Sequence, residues 1–327
     1  MSVYIIGNGY SINLVKTLEY HKLLDEESID LTNLFCKGDK IPTTHENYCY
    51  LSKDNCPNLW ELGIRSTTSR EESIKIINNI ISSYILYLQE NKLKKTSYDV
   101  KEKCVQTYNE LNRYLKKLII YYDSVVRHAF ETMSLEDRDN IIREIPFINE
   151  ITEDDIIISY NYDVFLEKLL DYKQIKYEYV LDKNMSINKC VKIYKPHGSI
   201  NFESVDTENE YIYDILPSNI AIKADMDLYF TNTLIIPPSG FIIGKEGSWV
   251  YNVRKGIEAE LLNNTPKKAY VFGLSYDVVD RDEINEILSC LDKKITQLMY
   301  IDVNPSNTLD HIISQHFVHY CQKKNWR

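Results

Sequence analysis

Ser159-Tyr160-Asn161-Tyr162-Asp163 joins two segments whose apolar residues recur with different periods. The run before it, Ile156-Ile157-Ile158, is β-branched throughout and predicts a buried parallel strand. The apolar residues after it, from Val164 to Leu170, follow helical spacing. Asn161 and Asp163 therefore lie at a strand-to-helix turn, and ligands of open α/β sheets bind at such carboxyl ends of strands. The alternative interpretation is a helix N-cap, for which Asn and Asp are common residues.

The first strand predicted along the chain, Val3-Tyr4-Ile5-Ile6, ends in the turn Gly7-Asn8-Gly9-Tyr10-Ser11. Apolar residues at helical spacing follow this turn. Glycines let the backbone approach a diphosphate, and a helix N-terminus offers N–H donors and a partial positive charge. Ser11 adds a hydroxyl donor. This is the form of the first unit of a nucleotide-binding fold, although glycine turns follow strands in other folds as well.

A third polar strand end is Lys195-Pro196-His197-Gly198, which follows the strand-like segment Val191–Tyr194. Pro196 ends the strand, and Gly198 permits a sharp turn beside His197. A histidine just past a strand end lies where a cleft is expected. The alternative interpretation is a turn histidine that is hydrogen-bonded to the backbone.

Strand and helix patterns alternate in the second half of the chain, which predicts a parallel sheet with right-handed crossovers. The strands predicted there are 234–236, Ala269–Phe272, which runs into Gly273-Leu274-Ser275, and Met299–Val303, which runs into Asn304 and is expected to be the last. We therefore expect an α/β fold, a Rossmann-like and mostly parallel sheet flanked by helices, in a single domain over residues 1–327.

An all-α insertion is predicted between the first two strands, over about residues 71–145. Apolar residues recur there at three- and four-residue steps, and Ser134 with Asp137 forms a capping pattern that begins a short helix. The insertion either covers the sheet edge and the cleft or mediates assembly into a homo-oligomer or with a partner protein. The pattern alone leaves both roles open.

Composition excludes several classes of function. The chain has 327 residues, a net charge of −10 and a pI near 5.3, which argues against a nucleic-acid-binding surface. Its apolar runs are shorter than the ~20 residues of a membrane span, and the amino terminus has no signal-peptide pattern. The seven cysteines include no C-x-x-C pair, so we expect neither a disulfide framework nor a zinc ribbon. A cytoplasmic location fits best.

The order and spacing of the strand-end motifs resemble the catalytic core of the sirtuins, and more closely the bacterial sirtuin-like NAD-consuming proteins of anti-phage defence. That family has G-x-G-x-S, N-Y-D before a helix, H-G-S, G-x-S near the end, and a final strand closing in Asn. The resemblance covers residues 1–20 and about 156–305. The matching segments are Gly7–Ser11, Asn161–Asp163, His197–Ser199, Gly273–Ser275 and Asn304.

The resemblance implies NAD as substrate and assigns a role to each matching residue. Gly7, Gly9 and Ser11 would hold the diphosphate of NAD. Gly273, Ser275 and Asn304 would line the adenosine side. Asn161 would face the nicotinamide ribose, Asp163 would orient the site, and His197 would be the general base. The implied catalytic residues are thus Asn161, Asp163 and His197.

Two departures bear on the reaction. Protein-deacylating sirtuins carry a zinc ribbon of paired cysteines and a V-x-F-G-E segment, and this chain has neither. Both absences disfavour deacylation and favour water as the nucleophile, without a metal. The function predicted is therefore an NAD hydrolase that releases nicotinamide and ADP-ribose, as a defence effector. The same residues would also serve ADP-ribosyl transfer or cyclisation, and a non-enzymatic NAD or ADP-ribose sensor is the alternative of a different class.

Overall fold

The structure is a computed structural model of the whole chain. It describes residues 1–43, 49–91, 98–180, 189–206, 213–217, 233–235, 249–264, 266–276, 281–292, 297–302, 306–317 and 320–323.

Ten strands and nine helices form in the described residues. The strands are β1 Ser2–Ile6, β2 Ile156–Ser159, β3 Tyr177–Tyr179, β4 Val191–Tyr194, β5 Gly198–Asp206, β6 Tyr213–Pro217, β7 Thr233–Ile235, β8 Lys268–Phe272, β9 Gln297–Ile301 and β10 Tyr320–Lys323. The helices are α1 Asn8–Tyr20, α2 Pro57–Glu61, α3 Arg70–Asn91, α4 Tyr98–Thr132, α5 Leu135–Glu144, α6 Phe165–Tyr172, α7 Trp249–Asn263, α8 Arg281–Asp292 and α9 Asn307–His316.

Seven of these strands form one parallel sheet in the order β10-β9-β8-β1-β2-β4-β3. β1 lies at its centre, between β2 and β8. The chain moves from β1 toward β2 in one direction and from β8 toward β10 in the other, so the switch point of the topology lies between β1 and β8. The predicted α/β fold, a Rossmann-like parallel sheet flanked by helices, is confirmed.

The five strands that precede the predicted motifs are neighbours in this sheet, in the order β4-β2-β1-β8-β9. Because they are parallel, their carboxyl ends meet at one edge. The turn after β1, the turn after β2 and the turn after β4 are therefore brought together, although more than a hundred residues separate the first from the others.

Alternating side chains of β1 divide the core into two layers. Tyr4 and Ile6 pack against α1, α6 and the helices α3 to α5 on one face of the sheet. Val3 and Ile5 pack against α7, α8 and α9 on the other face. All four side chains are at most 2% exposed, because a central parallel strand is covered on both faces.

In the region predicted to be a helical insertion, the described residues form α3, α4 and α5. The hydroxyl of Ser134 accepts a hydrogen bond from the backbone N–H of Asp137, as its capping pattern predicts. Buried residues of α4 belong to the same apolar cluster as α1 and one face of the sheet. The insertion therefore shares the core of the domain. None of the described helices is long and apolar enough to cross a membrane.

Two details of the second half differ from the sequence prediction. The strand predicted at 234–236 is observed as β7, but it pairs antiparallel with β5 in a separate sheet of order β6-β5-β7. Composition indicates that a segment is a strand but does not identify the strand that it pairs with. The alternation of strands and helices therefore predicted the wrong sheet for β7. The strand expected to be the last is β9, yet α9 and the edge strand β10 follow it.

Candidate functional site

A buried chain of hydrogen bonds joins three residues that the sequence singled out. The hydroxyl of Ser11, in the first turn of α1, donates to Asp163 Oδ2 at 2.7 Å. Asn161 Nδ2 donates to Ser11 Oγ at 2.9 Å. Ser11, Asn161 and Asp163 are 0%, 6% and 5% exposed, so water competes little with these bonds. The turn after β2 is thereby bonded to the helix that follows β1.

The chemistry of these groups fixes the orientation of Asn161. An ionised carboxylate only accepts hydrogen bonds, so the single proton of Ser11 must point to Asp163. Ser11 Oγ can then only accept from Asn161, which must present its NH₂ group. The amide oxygen of Asn161 is left to accept a hydrogen bond from another group.

Asp163 is a carboxyl group in an unusual environment. Burial raises its pKa to about 6, although the charge of Lys195 and hydrogen bonds from Ser11 and from the Phe165 backbone act in the opposite direction. The negative charge of Glu167 raises it further. Asp163 therefore changes its charge close to neutral pH, which is typical of carboxyl groups at functional sites.

The helix-cap interpretation is wrong for both residues, because the N-cap of α6 is Val164, although Asp163 lies one position before it and still bonds the first turn. Asp163 Oδ1 accepts a hydrogen bond from the Phe165 backbone N–H at 3.1 Å, at the start of α6. Asn161 has no such bond to α6 among the described contacts, because its amide is turned to Ser11. Asp163 thus accepts a hydrogen bond from α6 with one carboxylate oxygen and a hydrogen bond from Ser11 with the other.

His197 is buried beside a carboxylate. It is 4% exposed, and its Nε2 lies 3.2 Å from Glu283 Oε2, in the first turn of α8. Arg254 Nη2, from α7, contacts the same oxygen at 2.5 Å. Burial would raise the pKa of Glu283, but the interactions with His197 and Arg254 outweigh burial and lower it below its usual value. An ionised Glu283 can hold the His197 ring in one orientation.

The backbone around His197 is the sharp turn that Gly198 was expected to permit. Gly198 has φ of +84°, in the left-handed region, and its N–H donates to the carbonyl of Lys195 at 3.0 Å. The Nε2 atom of His197 lies beside Glu283, and the interpretation as a turn histidine hydrogen-bonded to the backbone stays a prediction for the rest of the ring.

The two groups of polar residues are in contact. The ring of His197 meets the ring of Tyr160 edge-on, with centroids 5.0 Å apart. The N–H of Ile200 donates to the carbonyl of Tyr162 at 2.9 Å, and Ser199 Oγ donates to the same carbonyl at 3.2 Å. The turn of Asn161 and Asp163 therefore packs on the turn of His197. These three predicted catalytic residues share one edge of the sheet.

The glycines of the first turn make a different contact from the one expected. The N–H of Gly7 donates to the carbonyl of Phe272, and the N–H of Gly9 donates to the carbonyl of Gly273, each at 3.0 Å. A Cβ on Gly9 would lie 2.5 Å from Gly273 Cα, and Gly273 itself has φ of +57°. Because Gly9 and Gly273 have no side chains, the turn after β1 can pack directly against the end of β8.

This packing bears on the diphosphate assignment. The N–H groups of Gly7 and Gly9 already have backbone acceptors, and the hydroxyl of Ser11 is directed to Asp163. The role of Gly7, Gly9 and Ser11 in holding a diphosphate stays a prediction. Of the other cofactor residues predicted, Gly273 contacts Gly9 and Ser275 is exposed at the same edge, whereas Asn304 lies outside the described residues.

Sequence reasoning missed the charged residues that support the site. They are Glu167, Lys195, Arg254 and Glu283. Glu283 and Arg254 lie on helices after long connections, so no local pattern joins them to His197. Lys195 was quoted within a motif, but a lysine at a strand end normally indicates solvated surface. Its 0% exposure was not predictable from its neighbours.

The largest cavity described lies beside this site and not within it. It has a volume of about 1130 Å³ and its described walls include Glu167, Tyr179 and Asn201, but neither Asn161 nor His197. The buried polar groups mark the candidate site better than this cavity does, because burying such groups is costly unless they are hydrogen-bonded. Within the described part of the chain, no group of three or more His, Cys, Asp or Glu residues could hold a metal ion.

A comparison of the chain with protein-family models and with curated proteins finds no match.

Proposed function

We propose that this chain is an NAD glycohydrolase, which cleaves NAD to nicotinamide and ADP-ribose. The observation that carries the proposal is the meeting of Asn161, Asp163 and His197 at the carboxyl edge of a Rossmann-like sheet, each held by a buried partner. Ligands of such sheets bind at this edge. The identity of the substrate, NAD, is inferred from the resemblance of the motifs to sirtuin-like NAD-consuming proteins.

The reaction breaks the bond between the nicotinamide nitrogen and C1′ of the adjoining ribose. The bonding electrons pass to the nicotinamide ring and neutralise its positive charge, and C1′ acquires oxocarbenium character. The oxygen of water then bonds to C1′, and the water loses one proton. A site for this reaction must stabilise the developing cation and hold the water on the opposite face of the ribose.

The residues of the site suit these tasks. The amide oxygen of Asn161 can accept a hydrogen bond from the water or from a ribose hydroxyl, because its NH₂ group is held by Ser11. An ionised Asp163 supplies negative charge near the edge of the sheet. His197 takes the proton, and Glu283 orients the ring and stabilises it once it is protonated.

Direct incubation of the purified full-length chain with NAD tests the proposal. Chromatography with mass detection should find nicotinamide and ADP-ribose in equal amounts, formed about 10²- to 10⁴-fold more slowly by the Asn161→Ala protein. Cyclic ADP-ribose or an ADP-ribosylated acceptor would instead identify cyclisation or transfer by the same residues.

Calorimetry with NAD completes the test. Binding of NAD without any turnover would indicate a sensor, and absence of both binding and turnover would contradict the proposal. A role as a defence effector predicts that induced expression of the wild-type chain lowers cellular NAD and arrests growth. The Asn161→Ala chain at equal abundance should do neither.

A further inference from the structure

A fully buried lysine lies directly beneath the proposed site. Lys195 follows β4 and is 0% exposed. Its Nζ donates to the backbone carbonyl of Asp163 at 2.5 Å and to Glu167 Oε1 at 3.0 Å. These two acceptors are one turn apart at the start of α6. One cation therefore holds the turn that carries Asp163 and the helix that follows it.

We infer that Lys195 is a positioning residue for the reaction, which holds Asp163 in place through its backbone carbonyl and supplies a positive charge beside it. This inference rests on the proposed function. Lys195 contacts the backbone of Asp163, so it acts through that residue.

The surroundings of Asp163 explain why a cation is needed there. Asp163 shares its buried environment with Glu167 from α6 and with the phenol of Tyr10 from α1, whose own pKa is raised by burial and then by the charges of Asp163 and Glu167. The negative charge of Glu167 opposes ionisation of Asp163. Lys195 contacts the carboxylate of Glu167 and the backbone carbonyl of Asp163, and its positive charge lowers the pKa of Asp163, which burial raises.

Further hydrogen bonds hold Glu167, the carboxylate that pairs with Lys195. Tyr179 Oη donates to Glu167 Oε1 at 3.2 Å, and Asn201 Nδ2 donates to Tyr179 Oη at 2.9 Å. Glu167 therefore accepts hydrogen bonds from both Lys195 and Tyr179. This network restrains the carboxylate of Glu167, and with it the ammonium group that holds Asp163.

The chain offers a matched control three residues before Lys195, in β4. Lys192 Nζ pairs with Glu260 Oε1 at 2.6 Å, and its side chain is 19% exposed. Glu260 belongs to α7, on the opposite face of the sheet from α6. Lys192→Met and Lys195→Met each leave one buried glutamate without its lysine, but only Lys195 touches the site.

The main test uses two variants, Lys195→Met and the double variant Lys195→Met/Glu167→Gln. The single variant should lose thermal stability, because Glu167 is left buried and unpaired. The double variant should regain most of that stability, because position 167 then carries no buried charge. In both, we expect kcat for NAD to fall roughly 10- to 100-fold with little change in KM, because Asp163 is misplaced. Lys192→Met should leave kcat unchanged.

A second measurement does not depend on turnover. In protein with ¹³C-labelled aspartate, the Asp163 carboxyl resonance is identified by its loss in Asp163→Asn and titrated by NMR. Its midpoint should rise in both Lys195 variants and stay unchanged in Lys192→Met. If the wild-type chain has no NAD turnover, the proposed function fails while this titration still tests the electrostatic role of Lys195.

Two results would overturn the inference. The first is a double variant that regains wild-type kcat along with its stability, since Lys195 would then be only half of a structural ion pair. The second is an Asp163 titration midpoint that does not change in either Lys195 variant.

Discussion

Ser11 donates a hydrogen bond to Asp163 across a separation of 152 residues, with 2.7 Å between Oγ and Oδ2. The two residues lie after neighbouring strands, β1 and β2, whose register pairs Ile6 with Ser159. The helical insertion lies between them in the sequence but not in space. This bond sets the direction of the Ser11 hydroxyl, and through it the orientation of the Asn161 amide.

Removal of the Ser11 hydroxyl should therefore impair turnover without unfolding the chain. We expect Ser11→Ala to lower kcat for NAD roughly 10- to 100-fold, because the amide of Asn161 loses its acceptor and Asp163 loses a donor. Steady-state kinetics beside thermal melting measures this. Ser73→Ala is the control, since that hydroxyl is also buried and hydrogen-bonded but lies in α3. Equal kinetic losses in the two variants would contradict a specific role for Ser11.

Asn161 and His197 should be required for the same step. We expect Asn161→Ala and His197→Ala each to fold, to bind NAD, and to lose about 10²- to 10⁴-fold in turnover. The double variant should be little worse than either single variant, because both act on one step. Turnover, calorimetric binding and melting temperature are compared for all three proteins.

A histidine elsewhere serves as the control for His197. His21 Nε2 also lies near a glutamate, Glu144, at 3.1 Å, but its side chain is 26% exposed and remote from the site. His21→Ala should keep wild-type turnover. Wild-type turnover in His197→Ala would remove the proposed general base. A large loss of stability in Asn161→Ala would indicate that the amide is mainly structural.

The raised pKa of Asp163 predicts an unusual dependence of stability on pH. Its pKa is about 6 in the folded chain, against 3.8 for an ordinary aspartate. Between these values the folded state binds the proton more tightly than the unfolded state, so this group stabilises the fold at low pH and the contribution is lost as pH rises through about 6. The full change corresponds to at most about 3 kcal/mol.

Urea denaturation of the wild type and of Asp163→Asn between pH 4 and pH 7 measures this contribution. The free energy of unfolding of the wild type, relative to the variant, should decrease as pH rises. A difference that is constant with pH would contradict the raised pKa. Turnover of NAD should fall below about pH 6, because the reaction uses the ionised carboxylate.

Substitution of Gly9 or Gly273, which follow the ends of β1 and β8, should lower stability. The two causes are a steric clash between the turns and, at Gly273, a positive φ. Gly9→Ala meets the backbone of Gly273, and Gly273→Ala meets Gly9 and also strains φ of +57°. Gly63→Ala is the control, because it has φ of +87° with nothing within 4 Å of the added Cβ. We expect Gly63→Ala to cost about 1 kcal/mol from backbone strain. Both variants at the contact should cost more, and Gly273→Ala the most.

Chemical denaturation of the three variants compares these costs. Because Gly9 does not have a positive φ, a Gly9→Ala variant with no loss of stability would show that the turn after β1 moves freely away from β8. In that case the contact with Gly273 would not close the turn, and the N–H groups of Gly7 and Gly9 could be released to a diphosphate.

Local pattern was enough to predict much of the fold. The run Ile156–Ile158 indicated a strand, the change of period at Asp163 indicated a helix, and Ser134 marked a helix start. Each of these is confirmed, because each depends on side chains within a few positions of one another. The alternation of such segments predicted the parallel sheet, and with it the edge at which Asn161, Asp163 and His197 meet.

Strand pairing was less predictable. The composition of β7 marked it as a strand, but its pairing with β5 is a contact between segments about thirty residues apart, which local composition does not predict. The end of the sheet was also missed, since α9 and β10 follow the strand expected to be the last.

The sequence by itself determined which residues end the strands, and so which polar groups are available at the edge of the sheet. Only the tertiary structure decided their partners: Asp163 for Ser11, Glu283 for His197, and Asp163 with Glu167 for a lysine that is wholly buried. Hydrogen bonds and ion pairs act over about 3 Å in space, whatever the distance along the chain. Periodicity reports which face of a helix or strand is buried and carries no information on what that face meets.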